Sequence, residues 1–88
     1  MVTKEIYGVG NGYGYKILVD SKLIIMQPHK PAISGVQDMT LGEADKIGSL
    51  VVAKMNNNLS PSVTVQQISD LLNGTKTIDQ IIVEEKLG

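Results

Sequence analysis

The chain of 88 residues contains no cysteine, arginine, phenylalanine or tryptophan. Without cysteine, neither a disulfide nor a thiolate-bound metal can brace the domain, and a chain this short buries too little surface to be stable by a wide margin. Without arginine it lacks the bidentate fork that suits phosphate, carboxylate and guanine. A net charge of −1 and the absence of any basic run remove the electrostatic footprint of a nucleic-acid binder. Tyr7, Tyr13 and Tyr15 are the only aromatic residues, so the core must be assembled from Ile, Leu, Val and Met. No apolar run is long enough to span a bilayer, and no charged-then-apolar segment opens the chain as a secretory signal would. On this reading the chain is cytosolic, or a signal has been removed from it.

Glycine, by contrast, is abundant at one place. In YGVGNGYGY, Tyr7 to Tyr15, it falls on every second residue. The spacing fails as a dinucleotide fingerprint, because Tyr13 or Tyr15 stands where G-x-G-x-x-G needs its third glycine. It suits a hairpin. Asn11-Gly12 predicts a type I′ turn, which would set Gly10 against Tyr13, Gly8 against Tyr15, Ile6 against Ile17 and Val9 against Gly14. An aromatic ring would then cover each bare stretch of backbone.

YKILVD and LIIMQ extend this hairpin into a three-stranded antiparallel meander, with Asp20-Ser21 as the second turn. Pro28 ends it, because neither Pro28 nor Pro31 can donate to a ladder. Gln27 to Met39, QPHKPAISGVQDM, reads as a long loop of the kind that carries function. Thr40 with Glu43 forms a capping box, and Met39 can staple against Ala44. The helix that follows places Ala44, Ile47, Gly48, Val51 and Met55 on one face. Gly48 implies close approach to the sheet, and the Asn56-Asn57-Asn58 run ends the helix. Thr64 with Gln67 repeats the capping box, Val63 can staple against Ile68, and Gly74 ends that second helix. For the last stretch, Thr77 with Gln80 suggests a third helix, whereas Ile81-Ile82-Val83 favours a strand. The strand is the expectation. The predicted fold is one α+β domain over residues 1–88: a three-stranded meander packed by two helices, with a fourth C-terminal strand.

Chemistry-bearing residues are few. His29, the single histidine, lies in the proline loop near Ser34 and Asp38, a poor basis for a nucleophile site. One histidine, no cysteine and no carboxylates paired at helical spacing do not make a ligand set, so the residues call for no metal or cofactor. Glu84-Glu85 reads as a solvated pair, and Met26, Met39 and Met55 as core filling.

Several segments together resemble a family of short bacterial proteins known only as a domain of unknown function. The family pattern is an N-G-x-G-Y hairpin, a strand ending Q-P-x-x-P-A-x-x-G, an alanine-containing helix, and P-x-V-T before a last helix. Here these are Asn11, Gly12, Gly14 and Tyr15; Gln27, Pro28, Pro31, Ala32 and Gly35; Ala44; and Pro61, Val63 and Thr64. The resemblance covers roughly residues 6–72. Met39 replaces an aromatic, Ser21 a glycine and Gly48 an alanine. Because members of the family look like exported proteins, the resemblance implies a periplasmic or cell-envelope location. It implies no activity.

The function expected from these observations is a non-catalytic binding module of the cell envelope. Its loop and hairpin would present Tyr13, Tyr15, Gln27, His29 and Lys30 to a protein or glycan partner. Two alternatives stand beside it. One is assembly through the sheet edge, with a second copy or a larger protein. The other is a small hydrolase-like enzyme with His29 as general base.

Overall fold

The computed structural model describes all 88 residues. Three strands, β1 (Val2–Val9), β2 (Gly12–Val19) and β3 (Lys22–Gln27), form one antiparallel sheet in the order β1-β2-β3. Three helices follow: α1 (Leu41–Asn56), α2 (Val65–Leu72) and α3 (Ile78–Leu87). The fold is α+β: α1 lies on one face of the meander, and α2 and α3 pack against α1.

The first hairpin forms, but in a different register. Its turn is Gly10-Asn11 and not Asn11-Gly12: Gly10 has φ +57 while Asn11 does not enter the left-handed region. That is the type II′ arrangement, with glycine at the first central position. The pairs are therefore Ile6 with Tyr15, Tyr7 with Gly14, Gly8 with Tyr13 and Val9 with Gly12. Tyrosine still covers glycine, but Tyr7 lies over Gly14 on the outer face. The second turn holds Asp20 and Ser21 at φ 50 and 69, a type I′ turn without glycine. The N-terminal ammonium of Met1 bonds the Asp20 carboxylate and holds it below its ordinary range.

Both expected capping boxes are present, at Thr40/Glu43 and Thr64/Gln67, and Asn57 caps the C-terminus of α1. The last segment is a helix, not a fourth strand. Thr77 and Gln80 form a third capping box, and Ile81 and Ile82 are buried among the helices. The β-branched run is overridden by the cap and by this burial.

The core lies between the sheet and the helices. Tyr15 and Ile17 face Met39, Ala44, Ile47, Leu50 and Val51, and α2 and α3 add Ile68, Leu71, Ile81 and Ile82. A Cβ at Gly48 would lie 3.3 Å from the Cβ of Tyr15, so the close approach of α1 to the sheet is real. Of the three methionines read as core filling, Met39 is buried, Met55 is partly buried and Met26 is exposed. Met26 pairs with Lys16 on the outer face, which no helix covers.

Lys54 does not serve as a surface charge at the end of α1. It is buried, and its ammonium donates to the Ser62 carbonyl and to Gln67 Oε1 at 3.1 Å, and pairs with Glu85 at 2.9 Å. One cation thus ties α1 to the connector, to α2 and to α3. Glu84-Glu85 is accordingly not a free solvated pair. Glu84 bonds Lys76 at 2.7 Å, and the Lys54 bond, with a second from Gln67, holds the Glu85 carboxyl below its ordinary range.

Candidate functional site

The site grows from the way β3 ends. Pro28 has no donor, so the ladder stops after Gln27 pairs with Tyr15. The Gln27 side-chain amide then turns back and donates to the His29 carbonyl at 2.8 Å. The Lys30 N–H donates to the Gln37 carbonyl at 3.0 Å and closes the loop across its width. Between these anchors Ala32 and Gly35 take φ +63 and +79. The chain returns at Met39, whose carbonyl accepts from the Tyr13 N–H at 2.9 Å. Residues 28–38 are therefore an excursion between two successive partners of β2.

On its outer side the loop is fastened to α1. Lys30 pairs with Glu43 at 3.1 Å. Glu43 also accepts from the Thr40 backbone N–H, and chiefly this bond keeps its carboxyl below the usual carboxylate range. Glu43 thus caps the helix and anchors the loop.

On its inner side the loop makes one wall of a cleft. α1 crosses β1 and β2, so it leaves the inner side of β3 to be closed by the connector between α1 and α2. The recess has a volume of about 400 Å³, within the range of ligand pockets. Its floor is Tyr15, Ile25, Gln27 and Val51, and its walls are Pro31 and Ala32 on one side and Pro61, Ser62 and Val63 on the other. No charged side chain lines it.

Tyr15 is the chemical centre of this recess. It is only 2% exposed, and burial pushes its phenol up to about 12. It is a hydroxyl donor throughout the physiological range. Desolvation is the one cause of that shift, and no hydrogen bond within the protein contributes to it. Tyr7 differs, because its hydroxyl is sealed without a partner on the far side of the sheet.

The five residues read from the sequence as a site separate here. Tyr15 and Gln27 line the cleft. Tyr13 is at the hairpin tip, 39% exposed and outside the cleft. His29 lends its backbone carbonyl to Gln27, and its ring lies 3.9 Å from Asp38. Lys30 is committed to Glu43. The three tyrosines share no common surface. The cleft also takes in Ile25, Val51, Ala32, Pro61, Ser62 and Val63, which carry no chemistry that would mark them as site residues in the sequence. Only the prolines signalled rigid walls; the left-handed backbone at Ala32 has no sequence mark.

Residues 5–70 match the family model described as Domain of unknown function (DUF4907), and the chain belongs to that family. No curated protein and no solved structure matches the chain. The matched span contains every residue of the cleft and stops short of α3.

Proposed function

We propose that the domain is a non-catalytic binding module that holds its partner in the cleft between the end of β3, residues 31–32 and residues 61–63. The observation that carries this reading is the uncharged recess lined by Tyr15 and Gln27, with the Tyr15 phenol held protonated by burial. Rigid walls, an apolar floor and a few convergent polar groups are the features of a recognition site. No histidine, lysine or carboxylate lines the recess and burial keeps the Tyr15 phenol protonated at neutral pH, which favours binding over general acid–base chemistry. A cell-envelope setting, with a protein or glycan partner, is part of the proposal and rests on the sequence resemblance.

Amide NMR of the 15N-labelled protein tests it, by titration with peptidoglycan fragments, oligosaccharides and envelope peptides. Shifts are expected to cluster on Tyr15, Gln27, Ala32, Ser62 and Val63. Shifts confined to the hairpin tip, or none at all, would defeat the cleft reading.

One observation favours a second reading, assembly with another copy through the sheet. Leu23, Ile24 and Met26 are each more than half exposed, on and beside an outer face without a covering layer. Glu5 and Lys16 stand opposite one another on the same face, so it carries one charge of each sign. A monomer mass that holds from micromolar to millimolar concentration would end this reading.

A further inference from the structure

The identity of the occupant follows from the same cleft, and this inference rests on the binding-module reading. We infer that the recess takes an extended peptide segment of small uncharged residues. A charged side chain entering it would lose hydration and find no counter-charge, since no lysine, histidine or carboxylate lines the space. Ile25 and Val51 in the floor and Val63 in one wall offer instead aliphatic contacts for side chains of alanine or valine size.

The polar groups are few and complementary to a peptide unit. Tyr15 has a hydroxyl donor held protonated by burial. Gln27 already spends one amide N–H on the His29 carbonyl, and its oxygen, which no group in the protein engages, can accept. The Tyr15 donor and the Gln27 acceptor match the carbonyl and N–H of a backbone passing between them, and the Ser62 hydroxyl in the wall can serve either group. A glycan is served less well. Sugar faces pack on exposed rings, whereas Tyr15 is 2% exposed and Tyr7 and Tyr13 lie outside the cleft. Pro31 and Pro61 stiffen opposite walls, so little backbone freedom is lost there on binding.

The test titrates the full-length 15N-labelled protein with three probes. The first is an equimolar pool of N-acetylated, C-amidated tetrapeptides of Ala, Val, Pro and Ser. The second is the same pool with one Asp or Lys per peptide, and the third is tri-N-acetylchitotriose. The neutral pool is expected to move the Tyr15, Gln27, Ala32 and Val63 amides saturably, and the charged pool to bind about tenfold more weakly. Tyr15→Phe is expected to weaken the neutral pool by about fivefold to tenfold. Ser62→Glu is a second variant that keeps the backbone carbonyl on which Lys54 depends. It should weaken the neutral pool and strengthen the lysine-bearing peptides. Equal response to the charged pool, or cleft shifts with the saccharide alone, would overturn the peptide assignment and leave the cleft a binding site. Cleft amides unmoved by all three probes would overturn both.

Discussion

A single methyl group is enough to test the geometry where sheet and loop meet. At Gly14 a Cβ would stand 2.5 Å from the Gln27 carbonyl oxygen, 2.9 Å from the Pro28 Cα and 3.0 Å from the Tyr7 ring. Two of these neighbours are backbone and cannot swing away. Gly14→Ala is therefore expected to cost about 2–3 kcal/mol, read as a lower urea midpoint. A cost below about 0.5 kcal/mol would mean that the strand and loop are not this close. Tyr7 gives the opposite case on the same face. Its ring covers Gly14, but its hydroxyl is sealed without a partner, a burden of about 1–3 kcal/mol. Tyr7→Phe keeps the cover and removes the hydroxyl, so stability should hold or rise by about 1 kcal/mol in the same urea experiment. A clear loss would show that the hydroxyl is bonded after all. The cover was legible in the alternation of Tyr and Gly, but the register was not. Moving the turn by one residue shifts each pair by two, which leaves every side chain on its original face. Hydrophobic alternation has period two and cannot detect that shift; only the local fit of Gly10 to the turn decides it.

Among the elements, the meander and the first two helices were readable because local signals agreed with the global pattern. Proline ended β3, and a capping box opened each helix. In α3 the local signals conflicted, with a cap at Thr77 and a strand-like run at Ile81-Ile82-Val83. What resolves the conflict is tertiary: the other elements offer α3 a buried seat and a charge partner. Lys54, in the last turn of α1, supplies that partner. With Lys54→Met the Ser62 carbonyl would lose its donor, while Gln67 Oε1 and Glu85 would lose the ammonium and keep only the Thr64 N–H and the Gln67 amide respectively. A loss of about 3 kcal/mol is expected, most of it from groups left unpaired. Pairing this change with Glu85→Leu in a double-mutant cycle should recover part of the loss, because the stranded carboxylate is removed. Simple additivity in the urea midpoints would refute the link between α1 and α3.

For the molecule as a whole, one small core joins residues that sequence order keeps apart, and the cleft inherits that property. Tyr15 and Gln27 could be nominated from their segments, but their meeting with Val51 and residues 61–63 depends on where α1 crosses the sheet. Nor could the sequence reveal that Lys30 is already held by Glu43. Because Tyr15 belongs to both core and cleft, its titration reports on the entire fold. Burial raises its phenol to about 12, against about 10 in the unfolded chain. Below pH 10 both states hold the proton and stability is unaffected. As pH rises from about 10 to about 12, the unfolded chain releases that proton while the folded protein keeps it, so unfolding is favoured. The loss approaches about 2–3 kcal/mol over that interval. Lys76, raised chiefly by its bond to Glu84, adds a loss of the same sign as its ammonium deprotonates. Urea midpoints at pH 8, 10 and 11.5 should therefore fall more steeply for the natural chain than for Tyr15→Phe, which retains only the lysine contribution. Parallel curves would mean that water reaches the Tyr15 hydroxyl freely, and the cleft would then lose the desolvated donor around which it is built.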